Sequence, residues 1–555
     1  MRGPGQPVTD APAEQSGPSE QASRVQHRPR DWNLDGGERQ ASRTAALAPW
    51  LALGAALAAA TLVFWLFDSL PFQDLPAHAG FIALRHRFHH SPFDQRFFVL
   101  APHLGPYSLF RTLGEALVPL VGPVGAVRAI ASLPVVAIPL ALLWARRRLH
   151  ADNAPTAAYY GLSLSFGFMT LLGFASYLCA VAALVVTLTV WLELLWAVDT
   201  ADRRALWLEA AVACLTPLLF VAHGHAFAIF LALAGISAVA TGRRWARILR
   251  LRALGPALAL AGWVAWSQRA SVIPPGSAPP PNPPLEPHFQ GLYDKLSLLV
   301  TPTLLTRTGA DVVVGLVLWA ILLAAVIATS RATAGEASST APFAHVRALV
   351  ACMAGLFAAF LGMPHTIGWF GFVDGRLVLV LLLLAVMTVR KNVLRPPLAG
   401  LYARVAPAAA WTMTAIAIGA SWLFQREARG WRQVLAHVPA ESRLLNLPLE
   451  PDSRIFTAHP FVHYDKFALA ERPIVVSDVW FHQGSALYPT PENPALRLPP
   501  SYSESDLRFI DWPAYRMDDW DYVLIRTRPE SLEPPVPASV KLAAHEGGWW
   551  LFQTH

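Results

Sequence analysis

Long apolar runs alternate with short polar ones along most of the chain, and that alternation predicts membrane-spanning helices. Runs such as Ala45–Phe67 and Leu377–Val389 have the length, or nearly so, to cross a hydrocarbon core about 30 Å thick. Spans are expected at about 45–67, 124–144, 155–172, 177–197, 206–222, 224–241, 252–268, 311–329, 345–363, 375–390 and 405–424. The fold class is therefore a polytopic all-α membrane bundle of about eleven helices, spanning 45–424. Residues 1–44 are rich in Pro, Gly, Ser, Gln and Arg, cannot bury enough apolar surface to fold, and are expected to form a disordered cytoplasmic tail. That polar stretch is too long for a cleaved signal, so the first span is expected to remain as an anchor.

Past residue 424 the membrane pattern is lost. Short runs with strand character appear at Arg454–Thr457, Pro473–Ser477 and Tyr522–Arg526, then at Val540–His545 and Trp549–Gln553, which flank the turn signal Gly547-Gly548. Residues 425–555 are expected to form a C-terminal α/β domain outside the membrane. A long first outer loop, 68–123, holds the apolar but polar-punctuated stretch 98–122 with Arg111 and Glu115. Those charges argue for an interfacial or re-entrant helix. A second outer loop, 269–310, opens on the stiff Pro-rich stretch Pro274–Pro287.

Composition agrees with the pattern: 54% of residues are hydrophobic against 15% charged, and mean hydropathy is +0.39. The formal charge of +7 resides in arginines clustered at span ends, which set topology and do not form a nucleic-acid surface. With the N-terminus inside, Arg146-Arg147-Arg148, Arg203-Arg204, Arg243–Arg252 and Arg390-Lys391 all fall in cytoplasmic loops. The outer turns Gly173–Ser176 and His223–His225 carry no Lys or Arg. This alternation predicts that the C-terminal domain lies outside the membrane. Cys179, Cys214 and Cys352 lie in apolar spans, so no disulfide framework is expected.

The candidate chemistry gathers at the outer span ends. Asp68, Asp74 and His78 follow the first span, and a carboxylate there is able to act as a general base or orient a hydroxyl. The competing reading makes Asp74 a helix cap ahead of Pro76. In Arg85-His86-Arg87-Phe88-His89-His90, followed by Asp94, the arginines suit anionic phosphates. His86, His90 and Asp94 recur at the four-residue spacing of a metal-binding helix face. The neighbouring arginines repel a cation, so no metal or other cofactor is assigned. His103, His223, His225 and His365 sit at outer turns, and Asp374-Gly375-Arg376 opens a span where Arg376, oriented by Asp374, is placed to grip a phosphate. Nucleotide-loop, nucleophile-elbow and zinc-protease motifs do not occur.

Three segments, Phe72-Gln73-Asp74-Leu75-Pro76-Ala77-His78, Pro102-His103-Leu104-Gly105-Pro106-Tyr107 and Gly173-Phe174-Ala175-Ser176-Tyr177, carry a resemblance. Together with an outer domain containing Trp520-Asp521-Tyr522-Val523-Leu524-Ile525, they make the chain similar to the GT-C superfamily of polytopic glycosyltransferases. The likeness runs over most of 45–555. It implies sugar transfer from a polyprenyl-phosphate donor to an acceptor at the outer face, with Asp74 as the loop acidic residue. The partners implied are the bilayer and a lipid-linked sugar. Asp74 lacks the adjacent second carboxylate of several superfamily members, which argues against metal dependence. A lipid transporter or flippase, and a non-catalytic scaffold binding through 425–555, are the alternative readings. The spans are mostly Ala, Leu and Val without evident repeats, which disfavours the transporter.

Overall fold

The computed structural model describes residues 36–101, 104–199, 202–241, 249–270, 277, 286–334, 341–368, 370–479 and 487–554. Residues from Trp50 onward form one compact unit, which holds the membrane bundle and the sheet. The chain is an integral membrane protein. Among the described residues, six helical segments are long and apolar enough to cross a bilayer: Ser108–His150, Ala175–Val198, Ala205–Ala222, Ala310–Ala334, Phe343–Gly362 and Pro396–Glu427. Shorter apolar helices run Leu47–Leu62, Gly224–Ala240 and Gly375–Thr388.

Helix stands at each expected span, with one broken. Over 155–172 the chain forms Thr156–Ser165 and Phe168–Leu171, separated where Phe166 and Gly167 leave the helical region. The Gly167 Cα lies so close to Thr301 and Pro302 that a Cβ would sit 3.1 Å from the Thr301 carbonyl oxygen. Within the bundle, Glu193 is held by a bidentate pair of 2.7 Å bonds from Arg148.

The first outer loop is more ordered than its composition indicates. It contains the helix Leu75–Arg87, the short helix Pro92–Phe97, strand β1 (Phe98–Leu100), and then a helix beginning at Ser108. The stretch 98–122 is thus not one separate interfacial helix. The helix from Ser108 runs on to Ser132, broken at Gly122, whose φ of 71° and ψ of 170° only glycine adopts easily, just ahead of Pro123. Its first part buries Arg111 and Gly114 and exposes Leu113, Leu120 and Val121. At Gly114 a Cβ would meet Ile82 Cδ1, so the two loop helices pack closely there and a larger residue would make the Ile82 side chain shift.

The remaining strands are β2 (Pro287–His288), β3 (Thr366–Ile367), β4 (Arg443–Pro448), β5 (Val475–Val476), β6 (Leu487–Pro489), β7 (Tyr522–Arg526), β8 (Lys541–Glu546) and β9 (Trp549–Gln553). Five form a mixed sheet in the order β5-β4-β7-β9-β8, with β4 parallel to β5 and β7, and β9 antiparallel to β7 and β8. The Gly547-Gly548 hairpin occurs as expected, with Gly547 at φ 60°. Residues 454–457 form no strand, only an isolated bridge from Phe456 to Thr306. The unexpected strand is β4: buried on both faces from Leu444 to Pro448, it shows no period-two alternation.

The sheet region does not stand apart from the membrane part. β1 of the outer loop pairs antiparallel with β6, Phe98 opposite Pro489. The helix Asp465–Glu471 lies against Leu75–Arg87, where a Cβ on Gly80 would be 2.9 Å from the Lys466 carbonyl oxygen. Trp431, just past the last membrane helix, donates to the Ser69 hydroxyl at 2.8 Å. Loop and sheet share one core.

Candidate active site

Asp74 precedes the helix Leu75–Arg87 at φ −89° and ψ −3°, and its side chain makes no capping hydrogen bond. The local reason is the neighbouring turn: the Gln73 and Asp74 amides donate to the carbonyls of Leu171 and Leu172 at 2.9 and 3.2 Å. Gly173, at φ 83°, lies so close that a Cβ would stand 2.9 Å from the Asp74 nitrogen. The acidic loop motif and the Gly-Phe turn are therefore one structural unit.

Freed from capping, the carboxylate faces a histidine. Asp74 Oδ1 lies 3.7 Å from His463 Nε2, and His463 Nδ1 lies 2.8 Å from Glu504 Oε2. Lys466 donates to both Glu504 oxygens, at 2.5 and 2.7 Å, and lies 3.2 Å from Asp465. Asn446 of β4 donates to Asp465 and Glu504, both at 3.1 Å, and the Tyr502 hydroxyl reaches Glu504 at 3.1 Å. All these charges are withdrawn from water, which decides their protonation. Burial pushes the Asp74 carboxyl up to about 6, against the pull of His463 and Arg376. Burial opposes the charged form of His463, but its bond to Glu504 prevails and holds it above its ordinary value. Asp465 is raised by burial, while Lys466 and His463 overcome burial to hold Glu504 low.

His78, one turn along from Asp74, packs on the Phe110 ring at 4.7 Å. Burial lowers it to about 4, so it is a neutral imidazole at physiological pH.

The positive side of the site is Arg376. Only 5% exposed, its guanidinium lies 4.1 Å from the Phe370 ring centroid, 4.5 Å from Phe174 and 5.7 Å from Tyr177. Its Nε and Nη1 have no hydrogen-bond partner, while the Tyr107 hydroxyl bonds to it. His223 Nδ1 caps the helix Gly224–Ala240 by accepting from the Ala226 amide at 3.5 Å. Its ring stands edge-on to Tyr107 at 4.8 Å and to Tyr177 at 5.2 Å. His225 lies beside Tyr177 and Phe370 with both ring nitrogens buried and unpartnered. The result is a carboxylate facing a buried, incompletely bonded arginine inside a wall of aromatic and imidazole rings.

Of the expected site residues, Asp74, His78, His223, His225 and Arg376 are brought together. Others go elsewhere. Asp68 is 72% exposed and points to Arg432 at 3.9 Å. Arg85 pairs with Glu115, and Arg87 binds Asp94 at 2.7 Å and the Leu469 carbonyl at 2.6 Å. Each keeps one buried nitrogen without a hydrogen-bond partner, Arg85 Nη1 and Arg87 Nη2. Asp374 does not orient Arg376 through its carboxylate: it caps its own helix through the Gly375 amide and is held by Lys295 and His365, each at 2.8 Å. His86, His90 and Asp94 do not share a helix, because a 3-10 turn at Phe88–His90 and a new helix at Pro92 separate them. Among the described residues no group of three metal donors occurs. His103 lies outside the described residues.

His463, Lys466, Glu504 and Tyr107 were not foreseen. A clue was present in His463-Tyr464-Asp465-Lys466, a run of ionisable groups opening an otherwise apolar helix.

Among solved structures the chain is similar to ArnT from Cupriavidus metallidurans, determined with bound undecaprenyl phosphate. The likeness has 11% identity and a TM-score of 0.53, and it covers 91% of this chain and 97% of that one. The fold is like that of ArnT. Looser likenesses are to the arabinofuranosyltransferase AftD from Mycobacteria (17% identity, TM-score 0.47, 90% of this chain and 40% of that one) and to the Archaeoglobus fulgidus oligosaccharyltransferase in its apo form (11% identity, TM-score 0.41, 86% and 70%). No protein-family model and no curated protein matches the sequence. At such identities the likeness concerns the fold, which leaves the chemistry to be argued from the side chains.

Proposed function

We propose that this protein is a membrane glycosyltransferase that moves a sugar from a polyprenyl-phosphate donor to an acceptor hydroxyl at the outer face. The carrying observation is the uncapped Asp74 carboxylate, held against His463 and in the field of Arg376. In the proposed step the acceptor hydroxyl attacks the anomeric carbon from the face opposite the phosphate, inverting it. Its proton passes to Asp74 as the new C–O bond forms. The bond from the anomeric carbon to the phosphate oxygen breaks, and its electron pair leaves with polyprenyl phosphate. Arg376 neutralises the charge growing on that phosphate through the two nitrogens that lack partners. Charge neutralisation is thus assigned to Arg376, and no metal is invoked. Eleven crossings, a cytoplasmic N-terminus and a bacterial inner membrane complete the reading, with the site at the outer span ends.

The test is turnover in nanodiscs with a panel of undecaprenyl-phosphate monosaccharides, read as released undecaprenyl phosphate. Loss of the general base costs on the order of 100-fold or more, so Asp74→Asn is expected to fall by at least that factor. Equal turnover by Asp74→Asn removes Asp74 from the mechanism. Lipid flux across proteoliposomes without sugar transfer would instead establish the transporter reading.

A further inference from the structure

A separate cavity of about 450 Å³ opens where the last membrane helix meets the sheet. Seven of its nine lining residues are charged: Arg307, Arg454, Arg526 and Arg528 against Glu427, Glu450 and Asp452, with Ser453 and Pro529 completing the wall. Arg454 is paired with Glu530 beyond the lining, which leaves Arg307, Arg526 and Arg528 against Glu427, Glu450 and Asp452. Such a lining is ill-suited to an apolar molecule and well-suited to one rich in hydroxyls, each of which donates to a carboxylate and accepts from a guanidinium.

Most of these charges are already partly engaged. Glu427 accepts from the Ser453 hydroxyl at 2.7 Å and from the Arg454 amide at 2.8 Å. Arg307 donates to the Ser453 carbonyl at 2.8 Å, Arg528 lies 3.4 Å from Glu450, and Asp452 pairs with His459. Arg526 is different. It is 2% exposed, its Nε and Nη1 are buried without hydrogen-bond partners, and Nη2 makes only a 3.4 Å contact with the Glu427 carbonyl. The guanidinium lies over Phe461 at 4.5 Å and Trp549 at 4.9 Å. A Cβ on Gly548 would collide with Arg526 Nη1, so only glycine leaves room for the guanidinium there. Burial also draws this arginine down to about 10, the mark of a cation whose solvation is not fully replaced. A cation so held costs stability unless something pairs with it.

We propose that this cavity is a second ligand site, taking a sugar that carries one acidic group. The acidic group pairs with the Arg526 side of the cavity and the ring hydroxyls bridge Glu450, Asp452 and Arg528. The volume suits a mono- or disaccharide, being within the roughly 300–1,000 Å³ of small-molecule pockets. The site is linked to the segment bearing Asp74: Asp452 pairs with His459, whose amide donates to the Gln73 side chain at 3.3 Å. The proposal stands or falls on binding alone and does not depend on sugar transfer.

Calorimetric titration of the full-length protein in detergent tests it, with glucuronate, glucose, inorganic phosphate and glycerol 1-phosphate as probes. Saturable glucuronate binding is expected, at least tenfold tighter than glucose, and weakened at least fivefold in Arg528→Gln and Glu450→Gln. Both of these residues stand at the rim, so their variants keep the fold and carry the test even if Arg526→Gln does not fold. If Arg526→Gln folds, it is expected to lose the preference for glucuronate over glucose. Unchanged binding in both rim variants overturns the site. Inorganic phosphate binding as tightly as glucuronate reduces it to an anion pocket, and tighter glycerol 1-phosphate binding makes it a phospholipid headgroup site; either result overturns the saccharide assignment.

Discussion

Asp74 is a carboxylate whose ionisation lies in the range where enzymes work. With its carboxyl raised to about 6, it is protonated and unable to accept a proton below that pH and competent above it. The rate constant kcat/KM is therefore expected to rise through about pH 6 and level off above. His463 pulls the Asp74 carboxyl down, so His463→Gln is expected to move that rise to higher pH; an unmoved profile would show that the 3.7 Å approach has no electrostatic effect. A second residue pair is structural. Lys295 and Asp374 are 4% and 0% exposed and 2.8 Å apart, and Lys295 also donates to the Met363 carbonyl at 2.6 Å. Removing one partner of such a pair leaves an uncompensated buried charge at a cost of about 3–5 kcal/mol, so Asp374→Asn is expected to lower the thermal midpoint markedly. Lys295 was legible only as one of four lysines, because its partner stands 79 residues further on, at the start of the helix Gly375–Thr388.

At the scale of elements, the site depends on how the turn at Gly173 is pressed against the start of the helix Leu75–Arg87. Gly173→Ala places a Cβ within 3.0 Å of Asp74 backbone and side-chain atoms and forces an L-residue to φ 83°. The backbone conformation alone costs about 1–3 kcal/mol. Gly173→Ala is expected to lower both melting temperature and turnover, measured on the same preparation. The two motifs were visible in the sequence, as was the hairpin around Gly547. Their contact was not, since nothing in a local pattern states which turn meets which loop. Strand β4 was missed for a related reason: a strand buried on both faces has the Leu-rich look of a helix.

For the whole molecule, the sheet region is bound to the outer loop through β1–β6 pairing and the helix Asp465–Glu471, so both must lie on one side of the membrane. The arginine alternation predicts that this side is outside. A Ser505→Cys variant is expected to react with a membrane-impermeant maleimide in intact cells, well above the background of Cys179, Cys214 and Cys352. Labelling only after the membrane is opened would reverse the orientation.

The sequence by itself determined the membrane class, the positions of the helices and the gathering of polar groups at one set of span ends. Those follow from hydropathy and charge, which are summed over local windows and need no partner. It also marked Asp74 and Arg376 as candidates, but not what they face. Only the tertiary structure decided that Asp74 stands at the N-cap position without making the capping bond, that Arg85, Arg87 and Asp374 are engaged in ion pairs, and that His463 and Glu504 from the sheet region stand behind the carboxylate. Burial and pairing are properties of groups brought together across the chain. They set both the proton affinity of Asp74 and the unmet bonding of Arg376.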